Sequence, residues 1–106
     1  MVKLGEVWLV NLDPTVVSEI RKTRPCVVIS PPEMHDHLRT VLVAPMTTKS
    51  LPAPFRIVVT HDGMKGLILL DQMRAVDKSR LAKKLGAVSA KTLTASLTKL
   101  QEVFTE

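Results

Sequence analysis

The sequence is short of several features that whole classes of protein require. Among its 106 residues Cys26 is the single cysteine, so no internal disulfide can form and stability needs no oxidising compartment. No apolar run approaches the roughly 20 residues of a membrane-spanning helix, and no signal peptide opens the chain. We therefore expect one domain over residues 1–106, located in the cytoplasm and not associated with a membrane.

Motifs for phosphate loops and metal centres are also missing. The four glycines are far apart, which argues against a glycine-rich phosphate loop, and neither C-x-x-C nor H-E-x-x-H occurs. His35 and His37 alternate as a metal pair on a strand would, but only Glu33 and Asp36 are nearby. We interpret this segment as a solvated loop, and we predict neither a metal nor another cofactor.

Aromatic residues are few, and charge is biased towards the positive sign. Trp8 is the one tryptophan in a chain with 3% aromatic residues, and we expect it in the core. Cys26 lies in an apolar run, where a buried, inert thiol is expected. Fifteen basic and ten acidic residues give a net charge of +5, which suits a polyanion such as nucleic acid or an acidic protein segment, although many small basic domains bind no nucleic acid.

The chain does contain a series of short apolar runs separated by turns. These runs predict strands at residues 6–12, 25–30, 40–44, 56–60, 67–70 and 73–76, of which the nearly all-apolar run 40–44 should be central. The basic stretch 78–85 should lead towards a final helix that Ser89 caps and whose apolar stripe lies on the sheet. That stripe consists of Leu93, Leu97, Leu100, Val103 and Phe104. The predicted fold is mainly β with a C-terminal α-helix, as a small bent barrel or double sheet.

Polar residues stand at the ends of several predicted strands. A long charged segment, residues 13–25, separates the first two strands, and connections of that length are often functional. Arg24 precedes Pro25, Thr47 and Thr48 follow the third strand, and the pair at positions 71 and 72 interrupts an apolar run. Since a fork-shaped cation, two hydroxyl groups and carboxylates at strand ends suit a phosphate, these residues form a candidate site.

Each of these residues also has a purely structural interpretation. Arg24 would then pair with Glu19 or Asp71, the threonines would cap a turn, and Gln72 would bond a loop. The spacing of serine, histidine and aspartate residues along the sequence does not indicate a catalytic triad.

Four stretches resemble the MazF/PemK family of toxin endoribonucleases. They are G-E-V-W-L-V-N-L-D-P-T-x-x-S-E, R-P-C-V-V-I-S, V-A-P-M-T-T-K-S and D-Q-M-R-A-V-D, and they come in the family's order and spacing. The resemblance covers nearly the whole chain. It implies an SH3-like barrel of the PemK/CcdB type that works as a homodimer, cleaves single-stranded RNA without a metal, and is neutralised by a cognate antitoxin.

The resemblance also assigns roles to individual residues. Arg24 and Thr47 match family residues that would stabilise the phosphoryl oxygens, and Glu19 matches a candidate general base that could instead orient Arg24. Residues that would contact RNA phosphates or bases are Ser18, Arg21, Lys22, Thr48, Lys49, Asp71, Gln72 and Arg74.

The chain departs from the family pattern at three positions. Val17 stands where a glycine is common, and Ser18 and Leu69 stand where some members carry histidine and arginine. Mechanisms that use those residues as acid or base do not transfer. Two alternatives therefore remain open: a CcdB-like toxin that poisons gyrase by protein contact, and a weakened family member that acts through its antitoxin.

Overall fold

The computed structural model describes residues 1–12 and 23–106. Seven strands and two helices make up these residues: β1 (Glu6–Asn11), β2 (Thr23–Val28), α1 (Pro32–His35), β3 (Thr40–Thr47), β4 (Arg56–His61), β5 (Met64–Leu69), β6 (Arg74–Asp77), β7 (Leu81–Ala87) and α2 (Ala90–Val103). Single 3₁₀ turns at Leu70–Gln72 and Lys78–Arg80 precede β6 and β7. No helix within the described residues has the length and apolar character needed to span a membrane.

All strand pairs in the described residues are antiparallel, in the order β4-β5-β3-β2-β1-β7, and β6 also pairs with β3. The sheet curls into a half-barrel that precedes the terminal helix. β3 is central because its first half pairs with β6, its second half with β2, and its last two residues with β5. The predicted fold class and the central position of the third strand are therefore confirmed.

Two buried clusters lie on the opposite faces of this sheet. Alternate residues of β2 enter different clusters, since Val27 belongs to one and Cys26 and Val28 belong to the other. Trp8 does not enter the core as predicted: it is half-buried at the edge of the second cluster. Its indole N–H donates to the Glu6 carboxylate (3.0 Å), which is a partner that an apolar core would not supply.

The second part of the basic stretch 78–85 lies in strand β7 (Leu81–Ala87), which the sequence analysis did not predict. Within the described residues β7 pairs with β1 alone and lies at the edge of the sheet, and lysines suit such edges because the charged side chains reach water. The Lys84 ammonium forms an ion pair with the buried Glu6 carboxylate (2.8 Å). Burial alone would raise the pKa of Glu6, but bonds from Lys84, Trp8 and the Lys3 backbone lower that pKa to about 2.

The interpretation of the two histidines as solvated was wrong for His35. Pro32 begins the short helix α1, and this helix buries His35 while leaving His37 exposed. The His35 Nε2 lies 2.7 Å from the Val2 carbonyl oxygen, which can only accept, so Nε2 carries the proton. Its Nδ1 therefore accepts from the Ser30 hydroxyl (2.8 Å). The ring is a buried structural link between the N-terminal segment and the end of β2.

Helix α2 follows the prediction at its start but not at its end. The Ser89 hydroxyl accepts from the Thr92 backbone N–H and caps the helix, which confirms the predicted cap. Leu93 packs against Gly5, where an added Cβ would lie 3.1 Å from a leucine methyl group. Val103 and Phe104 are exposed, so the apolar stripe stops covering the sheet one turn earlier than predicted.

Candidate active site

The start of β2 and the end of β3 bring Arg24 and Thr47 together. β2 and β3 are antiparallel, and Cys26 is paired with Pro45. The paired residues end there, and Arg24 and Thr47 each lie two residues beyond this last pair, at the same end of the two strands. Residues that lie 23 positions apart in the sequence thus become neighbours at one end of the sheet.

Two cavities adjoin this pair of residues. The larger has a volume of about 610 Å³ and the smaller about 280 Å³. Arg24, Thr47 and Lys49 line both cavities, so they form the wall that the two cavities share. We call this group the shared wall. Its members carry two cations and a hydroxyl, which are donors suited to an anionic phosphate.

The functional groups of the shared wall are available to a ligand. The side chain of Arg24 is exposed, and no carboxylate oxygen within residues 1–12 and 23–106 lies within 4 Å of it. The Thr47 hydroxyl oxygen accepts from the Lys49 backbone N–H (3.2 Å), which leaves the hydroxyl proton free to be donated. The wall can therefore present both a planar cation and a neutral donor to one phosphate.

Asp71 has a partner that the sequence analysis did not suggest. Its carboxylate accepts two bonds from the Arg56 guanidinium, at 3.2 and 3.1 Å, and these bonds lower the pKa of Asp71. Arg56 also donates to the Leu51 carbonyl oxygen. The structural alternative in which Arg24 pairs with Asp71 is therefore wrong.

The other predicted contact residues are distributed around the site. Gln72 lines the smaller cavity, and Thr48 lines the larger one. Arg74 is exposed on β6 and faces Val43 on β3. Ser18, Glu19, Arg21 and Lys22 lie outside the described residues, and their assigned roles stay predictions.

The predicted inert thiol is confirmed. Cys26 is fully buried, and this burial raises the pKa of its thiol to about 12, although the positive charges of Arg24 and Arg74 act in the opposite direction. A thiol with that pKa supplies almost no thiolate at neutral pH and is a poor nucleophile. The positive charges of Arg24 and Arg74 both act on the Cys26 thiol and lower its pKa, but burial has the larger effect.

Sequence reasoning missed His61. It lines the larger cavity together with the shared wall, although it follows the predicted strand 56–60 and was not among the candidate site residues. A histidine directly before an Asp-Gly turn was the available signal, because a two-residue turn fixes the direction of the strand end that precedes it. No group of three or more potential metal ligands occurs among the described residues.

Comparison with known proteins identifies relatives of this chain by sequence. Residues 3–104 match the family model described as PemK-like, MazF-like toxin of type II toxin–antitoxin system. Endoribonuclease PemK of Escherichia coli is 32% identical over 107 aligned residues, which cover 95% of this chain and 80% of that protein. The endoribonuclease toxin MazF of E. coli K12 is 34% identical over 91 residues, covering 85% of this chain and 82% of that protein.

A solved structure shares the fold over almost the same length. The crystal structure of MazF from Deinococcus radiodurans superposes with a TM-score of 0.79 at 26% sequence identity. The alignment covers 96% of this chain and 94% of the other one. The curled sheet and its terminal helix therefore recur in full in that protein.

Proposed function

Since this chain belongs to the family of PemK-like, MazF-like toxins of type II toxin–antitoxin systems, we propose that it is an endoribonuclease toxin. It cuts single-stranded mRNA at short sequences without a metal, inhibits translation and growth, and is neutralised by a cognate antitoxin. The relatives named above are endoribonucleases, and the observation that carries the proposal is the shared wall, where Arg24, Thr47 and Lys49 converge between two cavities.

The reaction is an internal transesterification of RNA. The substrate's 2′-oxygen attacks the adjacent phosphorus, the bond from phosphorus to the 5′-oxygen breaks, and negative charge builds on the non-bridging oxygens. In the proposed mechanism the planar Arg24 guanidinium binds those oxygens by two parallel bonds, and the Thr47 hydroxyl donates a third. Both donors are aimed at charge that is largest in the transition state, which is where binding accelerates the reaction.

The proton of the 2′-hydroxyl needs an acceptor, and Glu19 is the proposed general base. A carboxylate suits this role when it reaches the hydroxyl within hydrogen-bond distance. Glu19 lies outside the described residues. The alternative role proposed for it is to orient the Arg24 side chain.

The wider surface of the site is proposed to hold the RNA strand. Lys49 and Arg74 are exposed cations that suit backbone phosphates, with Arg21, Lys22 and Ser18 as further contacts. Thr48 in the larger cavity and Gln72 in the smaller one supply groups that can bond base edges. Asp71 is proposed to contact RNA as well, although its carboxylate already accepts two bonds from Arg56.

The proposal includes the state of assembly and the location of the protein. Residues 1–106 form a single domain that acts in the cytoplasm, where its mRNA substrate is found. We propose a symmetric homodimer, because β4 and β7 are sheet edges whose backbone groups can pair with a second chain. Light scattering at micromolar concentration should give the dimer mass, and a monomer mass would contradict this part.

The central test is cleavage of a long RNA by the purified protein in EDTA. The expected products end in a 2′,3′-cyclic phosphate, or the 3′-phosphate formed from it, and in a 5′-hydroxyl. A matched substrate with a 2′-deoxy sugar at the cut position should bind but stay intact, because it lacks the nucleophile. Cleavage that stops in EDTA and returns with Mg²⁺ would overturn the metal-independent mechanism.

The CcdB-like alternative is not favoured. A toxin that acts by protein contact has no need of an exposed arginine beside a threonine hydroxyl, whereas phosphate chemistry uses both. The relatives that the chain matches are also named for ribonuclease activity. A weakened family member that acts through its antitoxin would bind RNA in the assay above and leave it uncut.

A further inference from the structure

The larger cavity contains a histidine that the proposed mechanism does not use. Its titratable or charged lining residues within the described part of the chain are Arg24, Lys49, His61 and Asp62. Arginine and lysine stay charged near neutral pH, so they bind phosphate but exchange protons poorly. An imidazole is the side chain that gains and loses a proton most readily in this pH range.

A tight turn fixes the position of His61. It is the last residue of β4, and Asp62 and Gly63 form the two-residue connection to β5. Both turn residues have positive φ, 52° and 76°, which is the geometry of a type I′ hairpin turn. His61 shares a strand face with Val59, which is buried and also lines the cavity. The imidazole therefore stands at the rim of the cavity on a rigid hairpin.

The surroundings of the ring are unusual for a purely structural histidine. Its Cε1 approaches Gly86 of β7 so closely that an added Cβ there would lie 3.3 Å away. Its Nε2 is shielded from water and has no hydrogen bond within residues 1–12 and 23–106. The Asp62 carboxylate is close by, with its Oδ2 3.6 Å from Nε2.

An unpaired buried nitrogen is costly, typically by about 1–3 kcal/mol, and calls for an explanation. Asp62 is 77% exposed and needs to move by less than 1 Å to accept a bond from Nε2. With Nε2 turned to the carboxylate, the second ring nitrogen, Nδ1, remains for a ligand in the cavity. This is the arrangement of a proton-transfer histidine that a carboxylate orients.

We propose that His61 is the general acid of the ribonuclease reaction and that Asp62 is its positioning residue, an inference that rests on the proposed function. The protonated imidazole donates its Nδ1 proton to the departing 5′-oxygen as the bond from phosphorus to that oxygen breaks. The 2′-hydroxyl proton goes to the general base, so charge balances over the step, and water restores the protonation state of both groups afterwards.

The charges that face His61 are compatible with this role. Asp62 is the adjacent anion and stabilises the imidazolium, while Arg24 and Lys49 on the shared wall stabilise the phosphate. The cavity residues from β5 and β7 are Met64, Gly66 and Leu85, and none of them carries a charge. The proton donor and the phosphate-binding cations are thus separate groups within one cavity.

A substrate with an activated leaving group tests this proposal directly. Replacing the bridging 5′-oxygen by sulfur gives a thiolate leaving group, which departs without being protonated. H61Q should cut normal RNA about 10²-fold more slowly than wild type, because a general acid contributes 10²–10⁴-fold. On the 5′-thio substrate the two proteins should differ by no more than a few-fold. R24A serves as the matched control, since it should remain slow on both substrates.

The pH dependence of single-turnover cleavage provides the second readout. Wild type should lose rate on the alkaline side as the imidazolium deprotonates, and H61Q should lack that limb. D62N keeps a residue that favours the turn, so it should fold normally. It should weaken cleavage of normal RNA by less than H61Q does and, like H61Q, cut the 5′-thio substrate at close to the wild-type rate. Equal melting temperatures of the variants and wild type establish that the fold is intact.

The possible failures are distinguishable from one another. If wild type cuts RNA and H61Q cuts it equally well, the role of His61 is refuted while the proposed function stands. A defect of H61Q that persists undiminished on the 5′-thio substrate also refutes the acid role and indicates a packing role against Gly86. If wild type does not cut RNA at all, the proposed function itself fails.

Discussion

Replacing Arg24 by alanine should slow cleavage by about 10²–10³-fold while leaving the fold and most of the RNA affinity intact. The side chain is exposed, and among the described residues no carboxylate holds it, so its removal breaks no ion pair there. Surface substitutions of this kind usually change the free energy of unfolding by no more than about 0.5 kcal/mol. The backbone of residue 24 pairs with Val10 of β1, and alanine retains that pairing.

The effect on rate follows from the position of Arg24 on the shared wall. Loss of one preorganised donor to a developing oxyanion typically reduces the rate by about 10²–10³, equivalent to about 3–4 kcal/mol in the activation barrier. By contrast, one lost phosphate contact should weaken binding modestly and reduce the salt dependence of log K by about 0.7 for a single strand. R24K should recover only part of the rate, because an ammonium retains the charge but not the planar fork.

The measurement is single-turnover cleavage with enzyme in excess, together with RNA affinity at several salt concentrations and a melting curve. K91A on α2 is the control for loss of one exposed positive charge away from the site. K22A tests a proposed phosphate contact and should weaken binding evenly across sequences. If R24A cuts within a few-fold of wild type, the shared wall is not the catalytic phosphate site and the protein-binding alternative becomes the better account.

Three further predictions concern stability. The folded-state pKa of Glu6 is lowered from 4.5 to about 2. The ionised carboxylate therefore contributes up to about 3 kcal/mol to the free energy of unfolding above pH 4.5, and this contribution is lost as pH falls towards 2. E6Q should lower stability at pH 7 and flatten the dependence of stability on pH in the acid range. G66A should destabilise the fold by about 1–3 kcal/mol and slow cleavage, because the added Cβ would lie 2.7 Å from the Thr47 carbonyl oxygen. An unchanged melting temperature of G66A would contradict this prediction. A double-mutant cycle on Arg56 and Asp71 should give a small favourable coupling energy, and a coupling of zero would mean that the pair contributes no stability.

The sequence predicted the fold well wherever its pattern was local. Alternating apolar runs located β1 to β6 within a few residues, and the cap at Ser89 located the start of α2. The resemblance to the MazF/PemK family is confirmed by the match over residues 3–104. β7 was missed because an edge strand can be rich in lysine, and its pairing with β1 joins residues about 75 positions apart.

The errors at single residues share one physical cause. His35 and Trp8 were judged from their neighbours in sequence, whereas their hydrogen-bond partners were set by packing. The partner of Asp71 was missed for the same reason, since Arg56 is 15 residues away and belongs to another strand.

The site itself was predicted in part. Arg24 and Thr47 were identified because polar residues at strand ends stand out against apolar runs, and the antiparallel pairing of β2 with β3 brings them to the same end of the sheet. His61 was missed because it ends β4 directly before the Asp62-Gly63 turn, where polar residues are ordinary. The roles assigned to Ser18, Glu19, Arg21 and Lys22 stay predictions.

The pairing of β1 with β7 has a consequence for the synthesis of a toxic protein. Leu85 of β7 forms part of the wall of the larger cavity, and β7 takes its place only by pairing with β1, the first strand to be made. A nascent chain that has exposed only residues 1–80 therefore holds Arg24 and Thr47 but lacks one side of this cavity. The cavity can therefore be completed only after β7 has left the ribosome and paired with β1, so the proposed catalytic site forms late in synthesis.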